Sequence, residues 1–330
     1  MYDTSDPRAT LAPAPQPASA VAAVSYPADY VIFHDAEPAT DDGGSSRHWY
    51  ARGQNFVVGF SECAGAMTLR RAGQPDEWML LLPEAGTSAR LTADGQVAHA
   101  PGDSLVVIPP GDSEVEVTGH GPVVAVFSSN AADLCALAIN ADSYDHEHRN
   151  VAPLRPWPAA ADGPRIRVYS LDVPRAEGRL GRIWRCSTLM VNMSFPIEGP
   201  RDETKLSPHS HADFEQGSLV VAGEYVHHIR WPWTPDRRTW REDDHELCGS
   251  PSLAVIPPPA VHTSQAIGPA TNHLIDIFAP PRRDFSGRPG WVLNAAEYPT
   301  PPDPDQPSPP TGSGYPTRSA AQERSAAGKQ

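Results

Sequence analysis

What this chain lacks narrows it first. Its 330 residues include only four cysteines, Cys63, Cys135, Cys186 and Cys248, far apart and with no CxxC pair. That argues against a disulfide framework or a thiolate zinc site in a chain of this length. No run approaches 18 consecutive apolar residues, so no transmembrane helix is expected. The opening stretch, MYDTSDPRATLAPAPQPASAVAAVSYPA, has acids and prolines but no lysine, and it lacks the basic start and continuous apolar centre of a signal peptide. A soluble, cytoplasmic protein is the expectation. Basic residues are also scarce: 26 Lys and Arg stand against 40 Asp and Glu, a net charge of -14. Nucleic acids and anionic membranes both require a basic footprint, so neither is an expected partner. There is no GxSxG elbow, P-loop or dinucleotide fingerprint, which leaves serine-hydrolase chemistry and a nucleotide cofactor unsupported.

Proline and glycine, by contrast, are abundant, at 38 and 25 residues. They punctuate short apolar and β-branched runs such as EWMLLLP, DSLVVIP, PVVAVFSS, GSLVVAG, SLAVIP and NHLIDIFAP, which predicts an all-β protein. These runs form two sets of about seven, each enough for a sandwich or jelly roll. The expected layout is a first barrel over 28–135, a connector over 136–164 and a second barrel over 165–297. Residues 1–27 and 298–330 are too rich in Ala, Pro, Ser and Gly to bury a core, and both tails are expected to be disordered. The segments 100–117 (APGDSLVVIPPGDSEVEV) and 248–267 (CGSPSLAVIPPPAVHTSQAI) share a Gly, an apolar strand and Ile-Pro-Pro, the mark of a duplicated unit.

The chemistry concentrates in SPHSHADFEQGSLVVAGEY, residues 207–225. Neutral imidazoles and a carboxylate are preferred ligands for Zn, Fe, Mn or Ni. His209 and His211 sit at i and i+2, so on a strand they face the same way about 7 Å apart at the backbone. Glu215 would lie about 13 Å further along a straight strand, too far for a metal bond, so the chain must bend at Ala212 and Asp213. His262, after Ile256-Pro257-Pro258, is the natural fourth ligand. This HxHxxxE pattern, followed by an apolar strand and Gly223 and then by a Gly-apolar-Ile-Pro-Pro-xxx-His element, resembles the two motifs of the cupin superfamily. The resemblance implies two tandem jelly-roll barrels with one divalent metal held by His209, His211, Glu215 and His262 in the second barrel. Two turns depart from the family pattern: the usual Glu-x6-Gly is Glu-x7-Gly here, and Pro259 replaces a glycine before the last histidine.

The first barrel offers Gln74, Asp76, Glu77 and Glu114 but no histidine at the corresponding places, so a metal-free barrel is expected there. His146 and His148 lie in the connector without flanking strands and are not expected to bind metal. Asn192, Arg230 and His228 are candidates for lining the second barrel and orienting substrate, Arg through its bidentate fork. The cluster RWPWTPDRRTW (230–240) is a candidate cap for the barrel mouth. The resemblance implies a metal-dependent enzyme acting on a small oxygenated molecule, with Fe(II) favoured and Mn(II), Zn(II) or Ni(II) as alternatives. Dioxygenation of a diol, keto-enol or hydroxylated aromatic acid ranks first. Isomerisation, hydrolysis or decarboxylation of a small keto, sugar or ureide acid ranks second, and a non-catalytic binding protein third. Homo-oligomerisation is left open.

Overall fold

Alternation and continuity of apolar residues decide which strands are covered on one face and which on both. In TSARLTA (87–93) alternate residues are buried, whereas WMLLL and SLVVI are buried at every position. The computed structural model describes residues 7–10, 25–39 and 46–302, and everything below concerns the compact unit that ends at Thr300. Its strands are β1 (Asp29–Ile32), β2 (Arg47–Arg52), β3 (Phe56–Gln74), β4 (Trp78–Leu82), β5 (Thr87–Ala93), β6 (Gln96–Pro101), β7 (Ser104–Ile108) and β8 (Gly111–Ser128). After the short helix α1 (Ala132–Ala136) come β9 (Arg167–Ser170), β10 (Arg182–Arg185), β11 (Met190–Met193), β12 (Ile197–Glu198), β13 (Gln216–Ala222) and β14 (Glu224–Arg230). The series closes with β15 (Asp244–Gly249), β16 (Ser252–Ile256), β17 (Val261–Ala266), β18 (Thr271–Phe278) and the single-turn helix α2 (Arg283–Ser286).

The first sheet runs β2-β3-β8-β4-β7-β9, with β5 joining β8 to β6. The length of β8 lets its two ends serve different neighbours: residues 113–119 pair with β5, and residues 124–126 pair with β4. The second half has a sheet ordered β1-β16-β13-β18-β11-β10, with β12 on β18, and a separate sheet ordered β15-β14-β17. Two strands cross the boundaries expected from sequence. β1 leaves the first half to pair with β16, Asp29 opposite Val255, while β9 leaves the second half to pair with β7, Ser170 opposite Ser104. The halves therefore exchange edge strands, a long-range pairing that no local pattern announces.

Register sorts the side chains into distinct cores. Phe56, Phe60, Met79 and Val126 from the first half meet Leu219, Val221, Val255 and Ile277 from the second in one buried cluster. This core lies between the barrels. The first barrel's own interior is filled by Trp78, Leu80, Val106, Ile108, Val117 and Phe127. In the second half the alternate positions of β13 and β18 carry Ser218 and Asp276 amid the apolar residues, and its interior clusters are small.

Tyr298, expected to open a disordered tail, is fully buried. Its hydroxyl donates to Glu77 Oε1 at 2.8 Å, and its carbonyl accepts from the buried Arg185 guanidinium. One tyrosine thus supplies a large apolar surface and a partner for a buried acid, which outweighs the Pro-rich composition around it. The disorder expected elsewhere in the tails falls mostly on residues outside those described, although residues 7–10 form a 3-10 turn. Tyr298→Ala is expected to lower unfolding free energy by about 3–5 kcal/mol in urea titration, in line with other large-to-small core changes. A loss below about 1 kcal/mol, the range of surface substitutions, would show that the residue lies outside the core.

Candidate metal centre

Two segments far apart in sequence place the histidines. His209 and His262 form an isolated antiparallel bridge: His209 N donates to His262 O at 3.0 Å, and His262 N donates to His209 O at 2.8 Å. This pairing brings their rings together, tilted with centroids 4.4 Å apart, and His211, two residues on, brings its ring within 5.1 Å of His209 and 4.8 Å of His262. The three ligand nitrogens lie within 4.8 Å of one another. Nδ1 of His209 faces the Ser207 carbonyl and Nδ1 of His262 faces the Ala260 carbonyl, each at 3.0 Å. A carbonyl only accepts, so each Nδ1 carries the proton and Nε2 keeps its lone pair. Nε2 of His211 and of His262 is buried without a hydrogen-bond partner. Buried acceptors left unpaired are costly, and a divalent cation between them would satisfy both at once. Burial, reinforced by neighbouring histidines and the Arg8 and Arg282 guanidinium charges, holds His209 and His211 well below the usual imidazole range, and burial above all brings His262 down to about 4. All three are neutral at pH 7, the form that ligates metal. The donor set fits a divalent ion.

Glu215 does not join them. The chain bends at Ala212 and Asp213, as the spacing requires, but the bend delivers Glu215 to the opposite face. Its Oε1 accepts from the Asn55 backbone N–H at 2.8 Å and lies where a Cβ on Gly53 would come within 2.7 Å, so a loop of the first barrel wraps it. Odd-numbered neighbours look the same way: Gly217 is packed so tightly on Phe56 that a Cβ would stand 2.7 Å from its ring, and Leu219 is in the inter-barrel core. Even-numbered residues face the second barrel's interior, where Val220 meets Tyr225 and Ala266. The residue after the bend that faces inward is Gln216, and Gln216-x6-Gly223 restores the spacing that Glu215 breaks. That mismatch of one residue was the signal available in the sequence.

Polar groups line the interior beyond Gln216. Asp276, buried in β18, accepts from Gln216 Nε2 at 3.0 Å, Ser218 Oγ at 3.4 Å and Asn192 Nδ2 at 3.2 Å. Burial raises its pKa against the pull of Arg8, Arg282 and these donors. Asn192 is thus an interior residue, and its Oδ1 is buried against Gly181 without a hydrogen-bond partner. Of the adjacent histidines, His227 rather than His228 faces inward, because Tyr225, His227 and Ile229 are the buried alternation of β14. His227 Nδ1 lies 2.8 Å from Ser264 Oγ, its Nε2 is unpaired, and burial lowers its pKa to about 3. Phe214 and Phe278 pack on the His211 ring at centroid distances of 4.3 and 6.1 Å.

No protein-family profile matches the chain, and no curated protein matches its sequence. Among solved structures it superposes on the formate complex of oxalate decarboxylase from Lactobacillus farciminis, with a TM-score of 0.50 over 77% of this chain and 86% of that one at 15% identity. The fold is that of a two-barrel cupin. AerE from Microcystis aeruginosa (TM-score 0.49, 11% identity, 76% of this chain and 99% of that one) and a cupin 2 conserved barrel domain protein from Leptotrichia buccalis (0.43, 9%, 78% and 99%) also align.

Two residues expected in the second cupin barrel lie outside it. His228 projects to the outer face, against His245 Nδ1 at 2.7 Å and Gln265 Oε1 at 2.9 Å. Arg230 is exposed and held by Asp243 at 2.6 Å. Period-two alternation along β14 fixes both outcomes. In the nearby loop Trp231 packs on Ile229, Ile256 and Ala260, while Trp233 stacks on Trp240 and is 76% exposed. In the first cupin barrel Asp76 accepts from Ser128 and Asn130, Glu77 from Ser187 and Tyr298, and Glu114 pairs with Arg70. His148 of the connector stacks on Tyr26. Among the described residues the triad at 209, 211 and 262 is the one cluster with metal-ligand spacing.

Proposed function

We propose that this protein is a mononuclear metal-dependent enzyme acting on a small oxygenated molecule, and that its reaction is dioxygenation of a diol, keto-enol or hydroxylated aromatic acid. The observation that carries the reading is the convergence of three neutral imidazoles, two buried and one half-buried, next to a barrel interior with further unpaired polar atoms. A bound divalent ion, Fe(II) in this reading and Mn(II), Zn(II) or Ni(II) in its alternatives, would supply Lewis acidity and open positions for a chelating substrate. The chain's own contributions are orientation and exclusion of water. His227 Nε2 is available to a substrate oxygen or hydroxyl, and the Phe214 and Phe278 rings cover one side of His211.

A second reading, decarboxylation or isomerisation, is favoured by Asp276. A buried carboxyl whose pKa is raised can hold a proton and deliver it from an Oδ atom to a substrate carbon. The Fe(II)-loaded protein is expected to consume O2 only when a member of a panel of catechols, hydroxybenzoates and β-diketones is present, measured with an oxygen electrode. Release of CO2 from a small acid without O2 uptake would transfer the assignment to the second reading. Tight substrate binding with neither would make the protein a binding module.

A further inference from the structure

We infer that Gln216, through its side-chain carbonyl oxygen, is the fourth protein ligand of the metal, so that the site is built from three imidazoles and an amide and carries no ligand charge. The inference rests on the reading of the triad as a metal centre. Three independent features of the fold support it. The first is facing: Gln216 belongs to the inward alternation of β13, while Glu215 turns toward the first barrel, its Oε1 accepting from the Asn55 backbone and its Oε2 buried without a partner. The second is position. Gln216 pairs with Ile256, the last residue of the strand before His262, and the pairing of Gly217 with Ile277 sets it beside Phe278, whose ring abuts His211. The third is the amide's own bonding. Nε2 donates both to Ser218 Oγ and to Asp276 Oδ1, each at 3.0 Å, and Oε1 accepts no hydrogen bond among the described residues. With its nitrogen pinned, the amide has one way to turn, and the oxygen is the atom left for a cation. Asp276 then acts as a positioning residue: by accepting from Nε2 at Oδ1 it fixes the orientation of the amide and leaves Oε1 turned away from it.

The consequence is chemical. A carboxylate at this place would neutralise half the charge of a divalent ion, whereas an amide leaves all of it facing the open positions. Such a centre selects anionic chelators, carboxylate or enolate oxygens, over neutral diols. It also holds its own metal less tightly, because affinity falls with ligand charge.

Metal affinity, measured by chelator competition, and the visible spectrum of the Co(II)-loaded protein test this without recourse to activity. Gln216→Ala is expected to weaken affinity at least tenfold and to alter the Co(II) spectrum, since it removes a ligand oxygen. Gln216→Glu keeps an oxygen but loses the Nε2 donor, and is expected to hold metal at least as well as the wild type. Glu215→Gln is expected to stay within twofold with an unchanged spectrum. If Gln216→Ala binds within twofold of wild type, or Gln216→Glu loses metal as Gln216→Ala does, the amide has only a structural role and the inference is overturned. Loss of metal in Glu215→Gln overturns it too. If instead metal persists when His209 and His211 are both removed, the metal centre itself fails, a separate result from either of these.

Discussion

His209→Ala combined with His211→Ala is expected to take bound divalent metal from near one ion per chain to below about a tenth of that, since a structural or catalytic site needs three or four protein ligands. Two of the three converging nitrogens vanish, and His262, even with a neutral amide oxygen beside it, cannot hold an ion against buffer or a weak chelator. The fold should survive, because the histidines belong to none of the large apolar clusters and the backbone bridge between positions 209 and 262 does not use their side chains. The measurement is metal content by mass spectrometry on purified protein, with circular dichroism to verify the β-structure. Metal that stays near stoichiometric in the double variant would show that the ion sits elsewhere.

Glu215→Gln should change the pH dependence of stability markedly. Burial raises the Glu215 carboxyl from 4.5 to about 7, opposed only in part by the Asn55 and Gln54 backbone N–H groups and by Arg52. In the unfolded chain the group ionises near its ordinary value, so between about pH 4.5 and 7 the folded state binds more protons than the unfolded state and stability falls as pH rises. Below that window both states are protonated and the group contributes no penalty. By pH 8 the penalty is complete and amounts to about 3 kcal/mol at 1.36 kcal/mol per pKa unit. A glutamine retains an oxygen for the Asn55 N–H and never ionises. Thermal melts should therefore show the variant several degrees more stable than wild type at pH 8 and nearly equal to it at pH 4.5, at about 2–4 °C per kcal/mol for a chain of this size class. Comparing the two proteins at each pH cancels the histidine titrations they share. Parallel stability curves would contradict the burial of this carboxyl against the first barrel.

Much of this architecture was legible because it is written in short-range patterns. Runs bounded by Pro and Gly gave the strands, and the i, i+2 spacing of His209 and His211 with the distant His262 gave the triad. The bend at Ala212 and Asp213 follows from strand rise on the premise that Glu215 ligates the metal; the bend is present, but it carries Glu215 away from the triad. The inward acid at position 276 also left a trace, as a lone charge within the apolar run HLIDIF, but a single residue in an apolar strand is not a motif until its neighbours are known.

What sequence by itself determined, then, is the all-β composition, the paired apolar elements and the residue types able to hold a metal, because each depends on chain geometry over a few residues. Tertiary structure alone decided which side of a bend each residue takes and which strand each edge finds. A one-residue offset after Asp213 sends Glu215 to the first barrel and Gln216 to the interior, and the same period-two rule admits His227 and turns His228 out. The exchange of β1 and β9 between the halves, and the docking of Tyr298 on Glu77, arise from surfaces more than 60 residues apart in the chain. A strand's face and its partner are fixed only when those distant surfaces meet.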